Sequence, residues 1–194
     1  MNADKSAQTI KNIIGIQNNL RSIYDHSLSE AEWQIPNETF LMVEPFLRPG
    51  LKYLEIGIGK TDLAEKIAEA GCFVTGIAVS AVALADYKEE HPVFELILDD
   101  IETGLQNLKQ REFELIAATT ALESVSDLDD ALSLLQEQLA PNGLLCFSDV
   151  RTRVEIEQSL KRQGFKLLEE KVLFSDSESE SKHQRRIILA ASLA

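Results

Sequence analysis

The residues best suited to chemistry are grouped in Tyr53-Leu54-Glu55-Ile56-Gly57-Ile58-Gly59-Lys60-Thr61, an apolar run that ends in a Gly-x-Gly turn two residues after a carboxylate. Glycine at such a turn lets backbone approach a ligand closely. Two phosphate-binding versions of the pattern fail on spacing. A P-loop ending in Gly59-Lys60-Thr61 needs its first glycine at position 54, which is Leu54. A dinucleotide fingerprint needs glycine at position 62, where Asp62 would set a carboxylate beside an anionic pyrophosphate. Asp99 and Asp100 read as turn residues and Glu123 as a helix-start acid. His26, His91 and His183 are scattered and form no metal-ligand spacing, and the Gly-x-Ser-x-Gly elbow of a Ser-His-Asp hydrolase is absent.

The elements that must position these residues alternate in type. From Leu51 onward, β-rich runs at 52–56, 72–79, 93–98, 113–118 and 144–148 alternate with helical patterns at 62–70, 81–89, 102–108, 128–139 and 153–163. Strands at 165–174 and 187–193 then follow with no helix between them. Asp62-x-x-Glu65 and Thr152-x-x-Glu155 fit N-capping arrangements, and Gly71 and Gly164 stand where helices should stop in a left-handed turn. Leu128, Ala131, Leu132, Leu135 and Leu139 form the apolar stripe of a helix that covers a sheet. Right-handed crossovers make such an alternation a mostly parallel sheet with helices on both faces. The helix-less pair should close it as an antiparallel hairpin. The expected architecture is therefore α/β, Rossmann-like, with seven strands and its ligand outside the carboxyl ends of the strands. Upstream, apolar spacing predicts a helix around Ile10–Leu20 and another over 36–47, starting at Pro36. These divide the chain into an N-terminal helical cap over 1–50 and a Rossmann-like unit over 51–194.

Composition narrows the partners. The 194 residues carry 19 Lys and Arg against 32 Asp and Glu, a formal net charge of −13. That field repels phosphates, so nucleic acid is not expected as a partner. At 44% hydrophobic and 26% charged the chain is an ordinary globular one. Cys72 and Cys146 lie in apolar stretches without CxxC spacing and read as buried thiols in a reducing compartment. No run is long and apolar enough for a membrane span, and residues 1–20 lack a signal-peptide pattern, so a cytoplasmic protein is expected.

The acidic-x-Gly-x-Gly pattern of Glu55, Gly57 and Gly59 resembles the class I S-adenosylmethionine-dependent methyltransferases, particularly their small-molecule group. The resemblance runs from Leu51 to about Ala191. It includes Val74-Thr75-Gly76-Ile77 and Ser80, Asp100-Ile101-Glu102, Phe113-Glu114-Leu115-Ile116, Leu122-Glu123 with Asp127, and Leu139-Ala140-Pro141-Asn142-Gly143-Leu144-Leu145, all in the family's order.

That resemblance implies S-adenosylmethionine as cofactor and methyl transfer to a small-molecule acceptor. It implies that Glu55 orients the loop and meets the methionine amine, while Gly57, Gly59 and Thr61 form the turn against the ligand. Asp100 would accept from the adenine amine beside the Ile101 amide, with Ala78 and Val79 at the end of strand two and Thr119 near the methionine end. Tyr24, His26 and Glu123 are the acceptor-side candidates, the first two because the N-terminal segment often folds over the substrate in this family. The segment could equally form a homodimer face or meet a protein partner. Three positions depart from the family pattern: Ala78 replaces the acid that takes the ribose hydroxyls, Thr61 the third glycine, and Ser124 a frequent histidine. They leave open a second reading, a repurposed member that acts as a binding or assembly partner or catalyses a different reaction.

Overall fold

The computed structural model describes residues 30–59, 61–78, 84, 91, 93–108, 111–119, 121–125, 127–174 and 184–192. Tyr24, His26, Val79, Ser80, the helix expected around Ile10–Leu20 and all but Leu84 of the one expected at 81–89 lie outside them. The chain order is α1 (Glu30–Val43), a 3-10 turn (Glu44–Phe46), β1 (Lys52–Ile56), α2 (Leu63–Glu69), β2 (Phe73–Ala78), β3 (Glu95–Leu98), α3 (Ile101–Asn107) and β4 (Phe113–Ala118). A 3-10 turn (Leu122–Ser124), α4 (Leu128–Gln136), β5 (Leu139–Asp149), α5 (Arg153–Arg162), β6 (Phe165–Phe174) and β7 (Gln184–Ser192) complete it.

The strands form one seven-stranded sheet in the order β3-β2-β1-β4-β5-β7-β6. β3, β2, β1, β4 and β5 pair in parallel, whereas β7 lies antiparallel between β5 and β6. The expected antiparallel ending is thus present, and the reversal of strand order falls between β1 and β4. Strands covered on both faces need apolar residues throughout. In β1, Tyr53 and Leu54 are both fully buried, one on each side. Tyr53, Leu115, Ala117, Cys146 and Leu189 face α1 and α2, which add Ile35, Met42, Val43, Leu63 and Ile67. Leu54, Ile56, Ile116, Phe147 and Ile188 face α3, α4 and α5 through Leu105, Leu132, Leu135, Ile156 and Leu160. Both cysteines are buried free thiols, and burial pushes Cys146 up to about 12.

Three local expectations are corrected. Pro36 does not open a helix but lies inside α1, which begins at Glu30. The stripe Ile35, Thr39, Met42 and Val43 is buried at i, i+4, i+7 and i+8, and packing of that face outweighs the amide that proline removes. Asp62 makes no side-chain cap on α2 and instead pairs with Lys66 Nζ at 3.0 Å, one turn on. The helix from Leu128 stops at Gln136, and Leu139 opens β5 instead of closing the helix. The Phe113 amide donates to the Gln138 carbonyl at 2.8 Å, so pairing with β4 draws the chain out of the helix early.

Other local readings match. Gly71 and Gly164 have φ of 84° and 72°, the left-handed stops expected. Thr152 and Glu155 form a reciprocal capping box on α5, with the Thr152 amide donating to Glu155 Oε2 at 2.8 Å. Thr152→Ala is expected to lower stability by about 1 kcal/mol in urea denaturation; an unchanged midpoint would show that solvent replaces the box.

Candidate functional site

Register brings the singled-out residues to one edge of the sheet. Glu55 pairs with Gly76 on one side and Ala117 on the other, Ala78 pairs with Leu98, and Ala118 with Phe147. The carboxyl ends of β1 to β5 therefore align, and the segments that leave them carry Gly57, Asp99, Asp100, Thr119 and Glu123. In an open parallel sheet the crevice for a ligand lies at this edge, where the strand order reverses.

The turn after β1 is pinned to β2. The amides of Gly57 and Ile58 both donate to the Ile77 carbonyl, at 2.8 and 3.1 Å. This needs a left-handed residue, and Gly57 has φ 85°. Among the described residues a Cβ at Gly57 would meet Ala121 Cβ, at 3.7 Å, so the exposed turn faces the loop after β4 across the switch point. The next side chain, Ile58, turns inward onto bare strand, since a Cβ at Gly76 would come within 2.6 Å of it. Gly59 and Thr61 follow, both half-buried.

Glu55 lies beneath this turn and is 1% exposed. Its Oε2 accepts from Tyr53 Oη at 2.7 Å. Burial pushes its carboxyl up to about 8; the Tyr53 bond opposes that, and the nearby Glu65 and Asp62 carboxylates add to it. At neutral pH the group is thus largely protonated, and a cation arriving beside it would favour its ionised form. Glu65 itself pairs with His91 Nε2 at 3.1 Å. Tyr53 is a partner that reading the motif did not single out; the available signal was its place two residues before Glu55, on the same face of the strand.

At the end of β3, Asp100 caps α3: its Oδ1 accepts from the Thr103 amide at 2.8 Å and its Oδ2 from Thr103 Oγ1 at 3.0 Å. Asp99 accepts from the Asp100 amide at 3.0 Å and from Asn107 Nδ2 at 3.1 Å, and its own amide donates to the Ala78 carbonyl at 3.0 Å. Asp100 is exposed at this edge of the sheet. Ala78 is fully buried at the end of β2, and Ile101 is the first residue of α3, packed against the core.

Across the crevice, Thr119 is buried just past β4, and Glu123 lies on the 3-10 turn after it. Glu123 Oε1 accepts from Ser148 Oγ at 2.7 Å, and Ser148 is fully buried near the end of β5. Ser148 is the second partner missed in the sequence, because it lies 25 residues from Glu123 and only the assembled sheet brings the two together. The opposite, amino edge carries a groove of about 760 Å³ lined by Lys52, Phe73, Val93, Glu95, Arg111 and Phe113, which includes none of the described candidate residues. Among the described residues no cluster of three or more His, Cys, Asp and Glu could hold a metal ion, and no helix is long and apolar enough to cross a membrane.

Comparison with known proteins agrees with this fold. The chain is 30% identical over 113 residues to a ubiquinone biosynthesis O-methyltransferase of Pasteurella multocida, covering 52% of this chain and 47% of that protein. It is 26% identical over 146 residues to a malonyl-[acyl-carrier protein] O-methyltransferase of Enterobacter lignolyticus, covering 75% and 56%. It thus spans about half the length of these curated relatives. The N-methyltransferase NodS of Bradyrhizobium japonicum, solved with S-adenosyl-L-homocysteine, shares the fold at a TM-score of 0.68 and 18% identity over 86% of this chain and 89% of its own. A family model described as a methyltransferase domain matches residues 28–184, from α1 into β7, and so takes in every strand edge described above. By that match the chain belongs to the methyltransferase domain family.

Proposed function

We propose that this chain binds S-adenosylmethionine at the carboxyl edge of β1 to β4 and transfers its methyl group to an oxygen of a small-molecule acceptor. The observation that carries the reading is the buried Glu55 carboxyl beneath the open Gly57 turn at the switch point, with the exposed Asp100 after β3 on the same edge, two strands away. The residues fit the cofactor's chemistry: an ammonium and a sulfonium favour carboxylate neighbours, and an adenine needs apolar walls with an oriented acceptor. Glu55 receives the amine end, Gly57, Gly59 and Thr61 shape the turn, Asp100 and the Ile101 amide read the adenine edge, Ala78 and Val79 floor the ribose, and Thr119 borders the methionine end. Ala78 brings no carboxylate to the ribose. The absent charge-assisted bond corresponds to about 1.5 to 3 kcal/mol, so affinity rests more heavily on the Glu55 and Asp100 ends.

The bound cofactor supplies an electrophilic methyl group; the acceptor oxygen takes it as the S–CH3 bond breaks, S-adenosylhomocysteine remains, and the acceptor proton passes to a base or to solvent. The chain's own part is to align the acceptor, exclude water and hold a base nearby. Glu123, Tyr24 and His26 are the candidates for that acceptor side, with residues 1–50 supplying a cap, or a face for a second copy or another protein. The curated relatives above, each named as an O-methyltransferase, support the choice of oxygen as the acceptor atom.

Calorimetric titration with S-adenosylmethionine and S-adenosylhomocysteine tests the reading. Micromolar binding is expected, weakened about tenfold or more by Asp100→Ser, which keeps an oxygen for the α3 cap but withdraws the carboxylate. A methyl-labelled cofactor offered a catechol and a free carboxylic acid then identifies the acceptor class. Absence of heat and of any thermal shift at millimolar ligand would sink the proposal and favour the repurposed-member reading.

A further inference from the structure

The end of β5 grips the loop after β4. Arg151 Nη2 donates to the Val125 carbonyl at 2.6 Å, and Nη1 reaches the Leu122 carbonyl at 3.4 Å. One guanidinium therefore spans both ends of the short segment that carries Glu123. The guanidinium is itself held: Nη1 donates to Asp149 Oδ2 at 2.6 Å, and Asp149 Oδ1 accepts from the Arg151 amide at 2.8 Å. The Asp149 side chain is fully buried and that of Arg151 is 24% exposed. A second strand supports the same point, since Arg186 Nε on β7 donates to the Arg151 carbonyl at 3.3 Å and pairs with Glu170 on β6. Ser148, one residue before Asp149, holds the Glu123 carboxylate. The 3-10 turn has no side-chain cap of its own, so these bonds supply what its local sequence does not.

We propose that Arg151 is a positioning residue, which fixes the segment from Leu122 to Val125 at the carboxyl edge and so sets where Glu123 stands toward the methyl acceptor. This rests on the methyl-transfer reading above. The fork of the guanidinium, not its charge alone, is what the contact uses. Two carbonyls and a carboxylate are met by separate N–H groups in a fixed plane, whereas an ammonium on a flexible stem can keep the Asp149 pair but cannot hold both ends of the segment at once.

Arg151→Lys is therefore the informative variant, because Arg151→Ala also leaves a buried carboxylate without its partner. Amide hydrogen exchange over residues 121–125 is expected to rise about tenfold or more in Arg151→Lys while protection of β4 and β5 is retained. With a labelled cofactor and whichever of the catechol or carboxylic acid probes turns over, kcat should fall about tenfold or more, with affinity for S-adenosylhomocysteine and KM for S-adenosylmethionine within about threefold of wild type. Unchanged exchange in the Lys variant would overturn the grip, and faster exchange with unchanged kcat would overturn its role in turnover. Failure of the methyl-transfer reading is separately visible in the wild type, as no binding of S-adenosylhomocysteine and no labelled product, and it takes the catalytic role with it. Failure of positioning alone leaves an active wild type that Arg151→Lys matches.

Discussion

Glu55→Gln is expected to abolish a loss of stability that the wild-type protein undergoes as pH rises from about 4.5 to about 8. The cause is burial. An exposed glutamate releases its proton near 4.5, but the Glu55 carboxyl, 1% exposed beneath the Gly57 turn, keeps it to about 8. Across that window the folded state binds one more proton than the unfolded state, so stability is fully present below 4.5 and declines until the folded group ionises. At about 1.4 kcal/mol per unit, the decline amounts to a few kcal/mol. Glutamine keeps an oxygen for the Tyr53 hydroxyl and has no proton to lose. Urea unfolding at pH 5 and pH 8 checks this: the difference between the two should be larger for wild type than for the variant by that amount. Equal pH dependence in both would mean that Glu55 is already ionised when folded. On the proposed function a bound ammonium takes over the role of the proton, so the same variant should also weaken S-adenosylmethionine binding.

Arg151→Ala should be the most destabilising single change at the carboxyl edge. It removes the partner of Asp149, whose side chain has no exposure, together with the bonds to the Leu122 and Val125 carbonyls. Removing one member of a buried ion pair costs about 3 to 5 kcal/mol, because the other charge stays in low dielectric without compensation. For a chain of this length that corresponds to a fall in Tm of roughly 10 °C. Asp149→Ala with Arg151→Ala should cost less than the sum of the single changes, because no isolated charge remains. Additive costs in that cycle would show that the pair is not coupled.

The extent to which these features were legible in the sequence differs with their range. Thr152 and Glu155 were readable as a capping box because both partners lie within one helical turn, and the geometry of α5 brings them together without help from the rest of the chain. Asp62 and Glu65 present the same spacing, yet Asp62 turns to Lys66. The stripe ending at Leu139 was a sound helical pattern, but a backbone bond from Phe113 took the chain into β5 first. Pro36 read as a helix start until the burial of Ile35 and Thr39 carried α1 back to Glu30. At Leu139 and Pro36 a partner distant in sequence or a buried face outweighed a preference of at most a few kcal/mol, whereas Asp62 was drawn to a cation one turn on.

The sequence by itself determined the alternation of strand and helix, the antiparallel ending and the edge at which chemistry belongs, since hydrophobic period and turn residues are local and repeat along the chain. It also marked Glu55 and Gly57 as candidates by type and spacing, and Asp100 through the family resemblance. Only the tertiary structure decided what state they are in. Glu55 holds its proton because burial excludes water from it, against the opposing Tyr53 bond, Glu123 is oriented by Ser148 from β5, and Arg151 closes on carbonyls more than 25 residues away. Dielectric environment and long-range hydrogen bonds are properties of packed neighbours, and no spacing along a chain encodes them until the sheet has assembled.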